Sequence, residues 1–233
     1  MKKTNLIITS AVASLLISGF VSAGGTTQGP QTAIMSNIGG YAEVDAATGK
    51  ATLDAGALGK DSEHVSGIRF DGGLRFGPGF SIDGRYEYLE DNGKGSEKST
   101  LDQFRAILNY KGQVSDGLAA FVGGGYGLQN LSVGSDFLKI EADGLMLNVG
   151  LEFTNGKVFG SAIYTHGIPN SATLKLGGAS IDLPTKDIGY LEGRLGYHLS
   201  EQASFIFSLE EQVVGDTAIK KDWVATMGFR FSF

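Results

Sequence analysis

The chain has 233 residues with no Cys, 36 Gly, 4 Pro and a formal charge of -6. The absence of Cys excludes a disulfide scaffold, a thiolate metal site and a Cys nucleophile, and the net negative charge argues against sequence-independent nucleic-acid binding. A mean hydropathy of +0.01 excludes a bundle of membrane helices, which needs several apolar runs of about 20 residues.

The first segment reads as an export signal. Lys2 and Lys3 precede the apolar run 6–21, and Val21-Ser22-Ala23 supplies the small residues of a cleavage site before Gly24. Residues 1–23 are therefore expected to be a cleaved signal peptide. Residues 24–34 are small and polar, a mobile terminal segment by composition.

From residue 35 to the end, alternation with a period of two replaces any helical period. The clearest runs are 66–76 (Ile68, Phe70, Leu74, Phe76), 101–111 (Phe104, Ala106, Leu108, Tyr110), 144–154 (Leu145 to Phe153 on odd positions), 187–199 (Leu191, Leu195, Tyr197), 203–211 (Phe205, Phe207, Leu209) and 222–233 (Trp223, Ala225, Met227, Phe229, Phe231, Phe233). Weaker alternation marks 35–45, 80–90 and 157–167, while the facing of the Gly-rich run 118–130 is ambiguous. Asn155-Gly156 suits a two-residue hairpin turn, with Glu152 expected opposite Phe159. Ten antiparallel strands result, with eight as the alternative if 35–45 or 118–130 is not a strand. Short connections near 77–79, 112–117, 155–156 and 200–202 alternate with long ones near 46–62, 91–100, 131–141, 168–185 and 214–221. That asymmetry is the pattern of a closed up-and-down transmembrane β-barrel over residues 35–233.

Alternation alone does not say which face is wet. The charges do. All six Arg fall on the polar parity inside strands: Arg69, Arg75, Arg85, Arg105, Arg194 and Arg230. The acids Asp71, Asp83, Glu87, Glu152, Glu192 and Glu210 share it, as do Glu43 and Asp45. No lysine of the mature chain falls in a strand interior by this reading; Lys220 and Lys221, for example, sit in the last long connection. Arg segregated from Lys fits a confined interior, where the planar guanidinium can hold several carboxylates. In the hairpin around Pro78, pairing numbers that sum to 156 sets Arg69 against Glu87 and Asp71 against Arg85. Aromatics on the apolar parity collect at strand ends, as the two girdles of a membrane barrel do.

With these features the sequence resembles bacterial outer-membrane β-barrel proteins of the small OmpA-like or porin-like kind. The carriers are the signal, the strand Asp83-Gly84-Arg85-Tyr86-Glu87-Tyr88, the run Phe121-Val122-Gly123-Gly124-Gly125 and the end Gly228-Phe229-Arg230-Phe231-Ser232-Phe233. The resemblance implies a location in the outer membrane, in contact with its lipid and lipopolysaccharide. It implies that Phe229, Phe231 and Phe233 are the signal read by the barrel-assembly machinery. It also implies long outer loops able to meet a host or surface ligand. No separate cell-wall-binding domain is expected.

No catalytic motif, metal spacing or cofactor motif stands out. His198-Leu199-Ser200, with Glu210 or Glu211, is similar to the His-x-Ser pair of outer-membrane lipid A deacylases, but it falls at the tight-turn end, away from the outer leaflet. The omptin proteases use rim Asp and His residues on ten strands; His64, His166 and Asp61 lie near the rim, without a matching Asp-x-His or Asp-x-Asp. Asp61, Glu63, Asp136 and Glu141 could hold a cation at the rim, though solvated charge is the simpler reading. The expectation is a non-enzymatic barrel, without metal or cofactor, whose lumen is filled by the Arg–carboxylate set. A narrow passive channel is the alternative, and an enzyme of either kind above a remote one. An interior of about eight strands is just filled by side chains.

Overall fold

The computed structural model describes residues 38–54, 60–92, 98–134, 138–215 and 219–233. The expected signal peptide and the segment 24–34 lie outside them.

Eleven strands form: β1 (Ile38–Asp54), β2 (Lys60–Phe76), β3 (Phe80–Asp91), β4 (Ser99–Ser115), β5 (Leu118–Val133), β6 (Leu138–Asn155), β7 (Val158–Leu176), β8 (Ala179–Asp182), β9 (Ile188–His198), β10 (Ala203–Val214) and β11 (Ile219–Ser232). Sequential antiparallel pairing runs from β1 to β7, then through β9, β10 and β11, and β11 closes on β1. The result is a ring of ten strands in up-and-down order; β8 is a short extra strand on the end of β7. Among the described residues no helix is long and apolar enough to cross a membrane. Closure satisfies every ladder without leaving an edge, which is the condition for crossing hydrocarbon with strands.

The apolar parity faces outward. Phe70, Leu108, Leu147, Leu195, Phe207 and Met227 are all between 42% and 55% exposed, whereas Arg69, Glu87, Ser208, Glu210 and Thr226 are at most 2% exposed. A water-soluble barrel would invert this. Phe76, Phe80, Tyr110, Phe153, Tyr197 and Phe231 project outward near the tight-turn end, and Trp223 and Tyr126 project outward toward the other. Between them lies an aliphatic band, as lipid contact requires.

Two details depart from the sequence reading, and a third settles a facing that it left open. The long connections are largely ladder: β1 and β2 stay paired from Ile38↔Phe76 to Asp54↔Lys60, and β6 and β7 from Asn155↔Val158 to Leu138↔Leu176. A crossing needs about 9–11 residues, so strands of 17–19 residues project beyond the bilayer. There the outer face carries polar residues such as Lys139 and Glu141 while Leu138 and Ile140 turn inward, so the apolar-out contrast that marks a membrane strand disappears although the hydrogen bonds continue.

Second, Asn155 pairs with Val158, and Gly156-Lys157 make the turn, with Gly156 at φ 60°. Glu152 therefore faces Ser161, two residues from the expected Phe159, with side-chain facing unchanged because the slip is even. Third, the Gly-rich run 118–130 is a full strand. Its inward glycines and those of neighbouring strands leave room for interior rings. A Cβ on Gly150 would strike Phe121, and one on Gly196 would strike Phe159. Rings laid over glycines inside a curved sheet keep register without overfilling the bore.

Candidate functional site: the barrel interior

The side chains of the interior lie in three layers. Nearest the tight turns, Arg230 donates to Glu43 from Nε at 2.8 Å and from Nη2 at 2.7 Å. Its guanidinium lies 4.3 Å from the centre of the Tyr41 ring and 5.7 Å from that of Phe159. The Tyr41 hydroxyl donates to Asp83 (3.0 Å), which also accepts from Ser81 (2.8 Å) and Asn109 (2.7 Å). Lys111 pairs with Glu152 at 2.5 Å. Arg75 is half-buried on the same inner face.

The middle layer is a continuous ionic cluster, made possible because inward positions on adjacent strands lie within reach of one another. Arg69 and Glu87 are directly opposite in the β2–β3 register, as are Asp71 and Arg85. Arg69 donates twice to Glu87 (2.8 and 2.5 Å), and also to Glu192 and Ser208 (both 3.1 Å). Arg85 reaches Asp71 (2.5 Å), Glu210 (2.9 Å) and Glu192 (3.0 Å). Arg105 donates to Glu210 (2.5 Å). Arg194 meets Glu192 and Asp71 (both 3.0 Å), with Glu43 at 3.7 Å. The β2–β3 pairs sit on one wall and Glu192, Arg194 and Glu210 on strands across the ring, so the guanidinium forks span the bore.

Two lysines contradict the expectation that lysines stay outside strand interiors: Lys111, inside β4 and paired with Glu152, and Lys221, which belongs to this cluster. Lys221 is 1% exposed. Its ammonium binds Glu87 (2.7 Å), Gln103 (3.0 Å) and Glu210, and lies 5.3 Å from the centre of the Tyr190 ring. The cause is a register slip: Lys50 pairs with Trp223 but Ala51 with Lys221, which leaves Asp222 as an extra residue in β11. Such a bulge reverses the facing of everything beyond it. Strict alternation would put Lys220 inward, and the bulge substitutes Lys221.

Above the ions is an apolar layer: Ala47, Val65, Leu89, Leu101, Leu131, Ile140 and Val224, each at most 9% exposed, with Val133, Leu138, Leu174 and Leu183 packed against them. These residues share the inward parity of the Arg set, one to three inward positions further toward the long-loop end. The sequence reading did not separate them from the charged layer. Their alternation is interrupted by polar neighbours on both faces, so nothing local marks them as interior. Gln103, Ser208, Thr226, Asn109 and Tyr41 were findable, because each lies on the parity of an Arg in its own or the adjoining strand.

Two of the three histidines are engaged elsewhere, and His64 is exposed at the rim. His198 stacks on Phe159 (4.5 Å between centres) and contacts Ser204 at 2.9 Å, while Ser200 accepts two backbone N–H bonds in its own turn. The pair suggested by His198-Leu199-Ser200 is therefore not formed, and Glu210 sits in the ionic cluster instead. At the rim, His166 contacts Asp187 (3.1 Å) and Tyr164 (3.2 Å). Of the rim acids, Glu141 is paired with Lys139 (2.7 Å) and Lys175 (2.6 Å), and Glu63 is exposed. The side chain of Asp61 and residue Asp136 lie outside the described residues. Phe229 and Phe231 point outward, and Phe233 exchanges backbone hydrogen bonds with Gly40 at the seam where the barrel closes.

No known family pattern and no curated protein matches the sequence. Solved structures do match the fold. The outer-membrane protease OmpT from Escherichia coli aligns with a TM-score of 0.51 at 9% identity, over 85% of this chain and 97% of that one. Neisserial surface protein A aligns with a TM-score of 0.42 at 15% identity, over 83% of this chain and 97% of that one. The outer-membrane protein OprG from Pseudomonas aeruginosa aligns at 0.42 and 12% identity, over 85% of this chain and 97% of that one. At these identities the likeness concerns the fold. The chain has the architecture of the bacterial outer-membrane β-barrels, a closed ten-strand ring with an apolar exterior.

Proposed function

We propose that the protein is an outer-membrane barrel with a sealed lumen, serving a structural or surface-interaction role and not catalysis or transport. The observation that carries this reading is the stacking of two full layers inside the ring. Across the middle layer and the adjoining Arg230–Glu43 pair, six cations (Arg69, Arg85, Arg105, Arg194, Arg230, Lys221) face six carboxylates (Glu43, Asp45, Asp71, Glu87, Glu192, Glu210), so this charged interior is balanced and, except at Asp45, self-paired. A conducting selectivity ring carries an excess of one sign. The apolar layer adds a second obstacle, since a narrow apolar constriction sheds water. The surface role rests on the projecting ladders: the outer ends of β6 and β7 with β8 form a hydrogen-bonded arm whose ion pairs Lys139–Glu141–Lys175 lie in solvent.

Planar-bilayer recording tests the sealed lumen. The refolded barrel is expected to give no steady openings above the lipid background across voltage. Reproducible unitary steps that vanish on heat unfolding would replace this reading with the narrow channel.

A further inference from the structure

We propose that Glu43, Asp45 and Asp71 form a buried binding site for a hard divalent cation, best suited to Ca2+, inside the barrel wall. One carboxylate oxygen from each of the three lies within 4.8 Å of those of the others. Glu43 and Asp45 are consecutive inward residues of β1, and Asp71 is directly opposite Glu43 on β2. Like charges so placed repel, and the surrounding bases answer them only in part. Glu43 holds Arg230 through Oε2 and has Arg194 3.7 Å from Oε1, and Asp71 holds Arg85 and Arg194.

Asp45 is the decisive residue. It is 2% exposed, and neither of its carboxylate oxygens has a hydrogen-bond partner among the described residues; Oε1 of Glu43 lacks one too. In the ladder Asp45 faces Arg69, which would ordinarily pair with it. Arg69 instead turns its N–H groups to Glu87, Glu192 and Ser208. On the other side Asp45 faces Gly228, whose missing side chain leaves the carboxylate unobstructed, since a Cβ there would strike Oδ1. Three oxygens without a hydrogen bond this deep are costly, the two on Asp45 most of all, because a buried unsatisfied polar group forfeits its hydration without return.

A proton shared between Glu43 and Asp45 supplies one donor and satisfies two of these oxygens, leaving the third. A cation at 2.3–2.6 Å satisfies all three together, which is the typical Ca2+–oxygen range. The donors are oxygens only, which disfavours soft metals, and Ca2+ accepts a flexible oxygen shell where Mg2+ demands a near-ideal octahedron. This inference does not depend on whether the lumen conducts.

The test is to refold the full barrel in EDTA and then in CaCl2, and to count retained ions by native mass spectrometry, with affinity from equilibrium dialysis. One Ca2+ per chain is expected. Asp45→Asn is expected to weaken binding about 100-fold, since losing a ligand should cost at least as much as losing its outer-shell support. The rim variant Glu141→Gln is expected to match the wild type. Absence of retained Ca2+, or equal retention by Asp45→Asn, overturns the site. Infrared spectra of the wild type decide without any variant. Ca2+ must shift the carboxylate stretch, whereas a carboxylic-acid carbonyl band indifferent to Ca2+ assigns the cluster to a shared proton and contradicts the proposal.

Discussion

Arg85→Met is expected to lower the unfolding free energy of the barrel by about 3–5 kcal/mol, the usual cost of breaking a buried ionic group by removing one partner. The guanidinium contacts three carboxylates at once, Asp71, Glu192 and Glu210. Met fills similar volume but answers none of their charge. Arg105 still reaches Glu210, and Arg194 still reaches Asp71 and Glu192, so the loss falls short of three independent pairs. The measurement is urea unfolding in lipid vesicles, followed by tryptophan fluorescence. Removing Asp71 together with Arg85, as Asp71→Asn/Arg85→Met, is expected to cost less than the sum of the single changes, because much of the penalty is the stranded charge. Equal stability of Arg85→Met and wild type would mean that the ionic layer is hydrated and open.

Met227→Arg is expected to cost about 2–4 kcal/mol, the range for a basic residue on the lipid face at the bilayer midplane. Met227 is 55% exposed and lies midway along β11 between the outward Trp223 and Phe231, which mark the two interfaces. Long side chains near either girdle can snorkel to the headgroups, whereas one at the centre cannot do so fully. In a water-soluble barrel an exposed Met→Arg change would be nearly neutral. The same urea unfolding reads it, and a change under about 0.5 kcal/mol would contradict lipid contact at this position.

Much of the fold was legible because lipid and lumen impose opposite demands on alternate residues. Wherever a strand crosses the bilayer, one parity is oily and the other is not, and Phe229–Arg230–Phe231 states this in three residues. Beyond the bilayer, as at Leu138–Ala142, the outer face is polar while inner residues such as Leu138 and Ile140 are apolar, so the apolar-out alternation gives no signal, although the ladder continues. The Arg69–Glu87 and Asp71–Arg85 pairs followed from the tight Gly77-Pro78-Gly79 turn, which leaves a single register open. Lys221 did not follow, because a bulge is a backbone event: one skipped residue at Asp222 exchanges the inward and outward sets, and no side chain announces it. The apolar layer stayed hidden for a related reason. Val65, Leu89 and Leu101 look like ordinary strand residues until closure of the ring brings them together.

The account depends on which parity meets hydrocarbon, and quenching by brominated lipid measures this directly. A fluorophore is attached to single cysteines introduced into the Cys-free chain at Phe207, Ser208, Thr226 and Met227. Strong quenching is expected from positions 207 and 227, and little from 208 and 226. Strong quenching at 208 and 226, with protection at 207 and 227, would place the ionic cluster against lipid and contradict the account.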